Sequence, residues 1–94
     1  SVSEDEQWFS SMVRALLAKP GLELHLITGL DERSCHRYAA GSVKPPAYFL
    51  RALLRSDQGK QFLESLMAGS EPEWWREFKR AERIAVQIDL INLT

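Results

Sequence analysis

The sequence predicts an all-α fold: five or six short helices forming one compact domain, followed by a helical extension at the C-terminal end. Three observations predict it. Apolar residues recur mostly at three- and four-residue intervals, the spacing of one helix face. Glycines and prolines punctuate the chain at about helix-length intervals. Capping residues stand immediately before most of the apolar stretches. A length of 94 residues leaves room for one domain, and 45% hydrophobic with 27% charged residues places it among ordinary soluble globular chains. Residues 1–69 read as the main domain and 70–94 as the extension.

Ser3 and Glu6 have capping-box spacing ahead of the first helix. Trp8/Phe9, Met12/Val13 and Leu16/Leu17 then repeat every fourth residue, and Pro20-Gly21 reads as the stop. The stretch from Leu22 to Thr28 is short and apolar; alternation of Leu22, Leu24 and Leu26 also permits a strand there. Gly29 suits the left-handed conformation that ends a helix. Asp31 is a good N-cap for a helix running to about Ala40, which Gly41 ends. Pro46 suits the first turn of the next helix, whose apolar face is Phe49, Leu50, Leu53 and Leu54. Ser56 or Asp57 is the expected cap of a fifth helix carrying Phe62, Leu63, Leu66 and Met67, ended by Gly69. Ser70 and Glu73 repeat the capping-box spacing, with Pro72 in the first turn. The sixth helix presents Trp74, Trp75, Phe78, Ala81 and Ala85 and is expected to reach about residue 88. Ile84, Val86, Ile88 and Leu90 alternate as a strand would, so residues 84–94 admit either reading.

No apolar run is long enough for a membrane span, and the acidic, polar segment Ser1 to Gln7 is unlike a signal sequence. The single cysteine excludes an internal disulfide framework and fits a reducing, cytoplasmic setting. The net charge is −1, but it is unevenly spread. Residues 1–29 sum to −2, residues 30–60 to +3 through Arg33, Arg37, Lys44, Arg51, Arg55 and Lys60, and residues 61–94 to −2. A basic middle between acidic flanks is compatible with nucleic acid, because phosphate attraction follows the local surface. His25 and His36 have no companions at a metal-ligand spacing, so neither a metal nor another cofactor is expected. Cys35 and His36 are helix neighbours that point about 100° apart, which rules out a dyad between them. No nucleophile–base constellation or phosphate loop is present, and the expectation is a protein that is not an enzyme.

The stretch LELHLITGLDERSCHRYAAGSVKPPAYFLRALL carries the function. A short helix, a glycine-containing turn and a second short helix, then Gly and Pro before another helix, is a helix-turn-helix layout spanning about Gly21 to Ala40. Over about Val13 to Leu54 it resembles the Cro and phage-repressor (Xre-type) DNA-binding domains. Several intervals agree at once. Leu24 stands five residues before the turn glycine Gly29, Cys35 six after it and Tyr38 three further on. Gly41 comes twelve after the first glycine, followed by Pro45-Pro46. Two positions depart. His25 stands where the family usually has a small residue, and Gly21 stands where it often has a phosphate-binding glutamine.

The resemblance implies a sequence-specific transcriptional regulator whose helix 31–40 lies in the major groove of double-stranded DNA. Glu32, Arg33, Ser34 and Arg37 would then contact bases. Gly21 (through its backbone N–H), Ser42 and Lys44 would contact phosphates, with Arg51 and Arg55 adding to that grip if their face turns to the DNA. Small repressors bind paired half-sites as two-fold dimers, so a homodimer is expected. Trp74, Trp75, Ile88 and Ile91 are its candidate surface, with one tryptophan of the pair in the core. The alternative is a protein-interaction module, or an antitoxin holding a protein partner through its C-terminal segment, that keeps the fold with weak or no DNA binding.

Overall fold

The computed structural model describes residues 7–93, so the expected Ser3/Glu6 capping box lies outside the described residues. Six helices and no strand are formed among them: α1 (Trp8–Leu16), α2 (Pro20–Thr28), α3 (Glu32–Ala40), α4 (Ala47–Leu54), α5 (Gly59–Met67) and α6 (Glu73–Asn92).

The first helix buries the apolar pairs that its fourfold repeat anticipates: Phe9, Met12 and Val13 are buried, with Trp8 on the rim. It stops earlier than Pro20-Gly21, because Leu17 is already extended and its N–H closes the last turn on the Val13 carbonyl. Pro20 instead opens α2 at the first helical position, where a missing N–H costs nothing. The leucine alternation of α2 is not a strand. Only Leu24 is fully enclosed, while Leu22 and Leu26 are exposed.

Gly29 (φ 73°) and Gly41 (φ 82°) both adopt the left-handed conformation that closes α2 and α3, which a side chain would strain. Between them Asp31 caps α3 by accepting the Ser34 N–H at 2.9 Å. After α3 the Ser42 N–H returns to the Arg37 carbonyl at 3.0 Å, so the last turn is closed by backbone alone. Pro46 sits one position before α4 rather than inside its first turn.

Capping of the later helices departs from expectation. Gln58, not Ser56 or Asp57, precedes α5, and it makes no side-chain cap. The Ser56 hydroxyl turns back to the Leu53 carbonyl at 2.6 Å, a local bond that competes with capping. The Ser70/Glu73 box does not form either: α6 begins at Glu73 directly after Pro72, without a side-chain cap.

One core joins the first five helices. Leu24 (α2), Cys35, Tyr38 and Ala39 (α3), and Phe49 and Leu53 (α4) are buried against the α1 residues, with Phe62 of α5 beneath. Phe49 is its aromatic hub, meeting Phe9 and Tyr38 edge-on at 5.9 and 4.7 Å between ring centres. The most extensive helix–helix contact is that of α2 with α3.

The last helix is different. Of the apolar face expected on it, only Trp75 is buried; Trp74, Phe78, Ala81 and Ala85 are exposed. Its near end is held to α5 by Lys60–Glu82 at 3.0 Å and Lys79–Glu64 at 3.2 Å, with Lys79 also 5.6 Å over the Trp75 ring. The helix then continues to Asn92, past the expected end near residue 88, with every residue from Arg83 to Leu93 exposed. The radius of gyration of 15.9 Å reflects this projection. A compact chain of this length would have about 12 Å.

Candidate nucleic-acid interface

The second and third helices are locked together at both ends of their contact. At the turn, the His25 imidazole lies with Nδ1 2.6 Å from the Leu30 carbonyl. A carbonyl only accepts, so the Nδ1–H donates. Thr28 completes the turn: its hydroxyl donates to the Leu24 carbonyl at 2.8 Å and accepts the Leu30 N–H at 3.2 Å. His25 therefore finds the outward path its bulk requires, spanning the turn instead of wedging the helices apart. At the other end, the His36 ring of α3 occupies the space that a Cβ on Gly21 of α2 would need. That close approach explains a glycine at a helical position.

The N-terminal end of α2 and the first five residues of α3 border a shallow open groove of 460 Å³ lined by Lys19, Pro20, Gly21, Leu22, Glu32 and His36. Helix N-termini carry partial positive charge and unsatisfied N–H groups, which suit an anion. Gly21 itself is buried beneath His36, so only its backbone could serve a ligand there. The Lys19 N–H is already taken by the Glu23 carboxylate at 2.8 Å.

The outer face of α3 is polar and open. Glu32, Arg33 and Arg37 are exposed, and neither arginine is in an ion pair among the described residues. The opposite face, Cys35, Tyr38 and Ala39, is sealed in the core. Cys35 is thus a core residue; its Sγ lies 3.9 Å from the Leu30 carbonyl, and burial pushes its thiol pKa up, away from reactivity. Ser34 is less available than its exposed neighbours, since its hydroxyl donates to Asp31 Oδ2 at 2.9 Å. The same two bonds from Ser34, backbone first, hold the Asp31 carboxyl below its usual pKa, helped by the charges of Arg33 and His25 and opposed by slight desolvation.

Ser42 and Lys44 lie exposed in the loop after α3. The Ser42 N–H is spent on the Arg37 carbonyl, which leaves its hydroxyl for any ligand. Arg51 and Arg55 are exposed on α4. Of the candidate partner surface, Trp74, Ile88 and Ile91 are exposed, but Trp75 is 8% exposed and stacks on Phe78, so it belongs to the fold.

Three features escape a reading of the sequence. The His25–Leu30 tie depends on a backbone carbonyl that no side-chain pattern announces. Gly59 is buried with the Leu54 carbonyl where its Cβ would stand, yet in sequence it is simply a glycine near a helix start. The all-round exposure of the end of α6 follows from where α5 begins, since Lys60 in its first turn is already level with Glu82. Among the described residues, no group of three or more His, Cys, Asp or Glu is placed to hold a metal ion, and no helix is long and apolar enough to cross a membrane. No family model matches the chain, and neither a curated protein nor a solved structure shows significant similarity to it.

Proposed function

We propose that this chain is a sequence-specific DNA-binding regulator that reads the major groove with α3. The observation that carries the reading is the division of α3 into two faces. One is fixed in the core through Cys35, Tyr38 and Ala39; the other offers Arg33, Arg37 and Glu32 to solvent. A rigidly backed helix with exposed arginines, Arg33 in its first turn and Arg37 one turn on, is what base readout requires, because side chains must reach base edges without reorganising the scaffold. Arg33 or Arg37 would hold a guanine through O6 and N7, and Glu32 would accept from a cytosine amine or orient Arg33. The groove beside the N-terminus of α2, with Ser42 and Lys44 beyond the C-terminal end of α3, would flank the bases with phosphate contacts. Selecting bound duplexes from a random pool tests this: enrichment of one short motif supports it, and recovery of unenriched sequence contradicts it.

A second reading has its own observation. Ile84, Ile88 and Ile91 on α6 are 49–69% exposed, surface that a partner protein would cover. An interaction module or antitoxin would use that helix to bind and would show no salt-dependent affinity for duplex DNA.

A further inference from the structure

The part of α6 beyond Glu82 is a helix without a core. Branched aliphatic residues stand exposed on two sides of it, one stripe running Ile84, Ile88, Ile91 and the other Val86, Leu90, Leu93. A helix apolar on both sides is normally enclosed. The two stripes are not equivalent. Val86, Leu90 and Leu93 continue the side that carries Trp75, Lys79 and Glu82, which faces α5. The isoleucine stripe lies on the opposite side, away from the body, and extends backwards through Ala81 to the exposed Trp74.

The longer stripe has coiled-coil spacing. Trp74, Ala81 and Ile88 are seven residues apart, and Ile84 and Ile91 fall at the intermediate positions, with Glu77 the single polar member. Over about 25 Å of helix it is unobstructed by α1–α5. We infer that this seam is the contact with a second copy of the same chain, the two α6 helices packing antiparallel, Trp74 of each against Ile91 of the other.

Two arguments select that occupant and orientation. The exposed surface of Trp74, Ala81, Ile84, Ile88 and Ile91 is of the order of the roughly 500 Å² of apolar area per partner contained in a stable interface of ~800 Å² that is about 65% apolar. Side-chain sizes and charge decide the direction. A parallel pair would set Glu77 against Glu77 inside the seam and Ala81 against Ala81, joining like charges to a void. The antiparallel pair puts Ala81 opposite Ile84 and separates the two carboxylates. The inference is independent of the DNA reading and holds or fails without it.

Sedimentation equilibrium of the full chain reads the outcome directly. A dimer is expected, with Ile88→Lys weakening it by about 30-fold or more, the size of an interface hot spot, and Val86→Lys leaving it intact. A monomer at about 100 µM, or a dimer lost with Val86→Lys and kept with Ile88→Lys, overturns the seam. Because Ile88→Lys introduces a charge into a helix, circular dichroism accompanies it, and cysteine pairing supplies a second measurement. Trp74→Cys combined with Ile91→Cys is expected to give an oxidised covalent dimer, while Ile88→Cys alone is not. The reverse pattern overturns the antiparallel arrangement.

Discussion

The His36 imidazole on α3 fills the space that a methyl group on Gly21 of α2 would occupy. Alanine is the better helix former by up to about 1 kcal/mol, so Gly21→Ala has opposing effects: it reduces the backbone entropy lost on folding and displaces His36. His36 is exposed and able to swing away, so the net change in the wild type is expected to be small or destabilising. In an His36→Ala background the same substitution should stabilise. A double-mutant cycle by urea denaturation measures the coupling. Equal effects in both backgrounds would contradict the contact.

Gly59 makes a harsher approach. A Cβ there would run into the Leu54 carbonyl, which is backbone and cannot swing aside. Gly59→Ala is therefore expected to destabilise by about 1–3 kcal/mol, the cost of overpacking, even though alanine favours helix. Thermal unfolding checks this, and a rise in melting temperature would contradict the close approach of Gly59 to the Leu54 carbonyl.

Asp31 ties the start of α3 to pH. Its carboxyl is held below the usual 3.8, first by the Ser34 N–H and then by the Ser34 hydroxyl. A carboxylate with a depressed native value stabilises the fold above its unfolded value, and that contribution is lost as pH falls through the native one. Stability of the wild type should therefore decline below pH about 4 more steeply than that of Asp31→Asn, which keeps a capping side chain but does not titrate. Parallel acid-unfolding curves for the two proteins would contradict the cap.

Much of this fold was legible in the sequence, because its signals are local. Gly29, Asp31 and Gly41 state their own backbone geometry, and the fourfold apolar repeat of α1 states its buried face. Phe49 and Leu53, read as part of the apolar face of α4, are buried, as are Leu24, Cys35 and Tyr38 at the motif's apolar positions. Caps were less legible. Ser56 and Ser70 have the right chemistry, but Ser56 bonds backwards to Leu53 and the chain at Pro72 enters α6 without a side-chain cap. At the candidate interface, the exposure of Arg33 and Arg37 follows from helical period, whereas the commitment of Ser34 to Asp31 and of the Ser42 N–H to Arg37 depends on the fold. The end of α6 was ambiguous for a physical reason: with apolar residues on two sides, its pattern matches neither a one-faced helix nor a clean strand.

The central claim is tested most directly by duplex-DNA affinity as a function of salt, using the selected sequence and a scrambled control. Binding to the selected sequence should fall linearly in log–log form with rising salt, because each phosphate contact releases counterions. Arg33→Ala should cost about 1–3 kcal/mol on the selected sequence and relax its preference over the control, while Lys44→Ala should weaken both and lower the salt slope by about one. Affinity absent at low salt, or present but unchanged by Arg33→Ala and Arg37→Ala together, would contradict readout through α3.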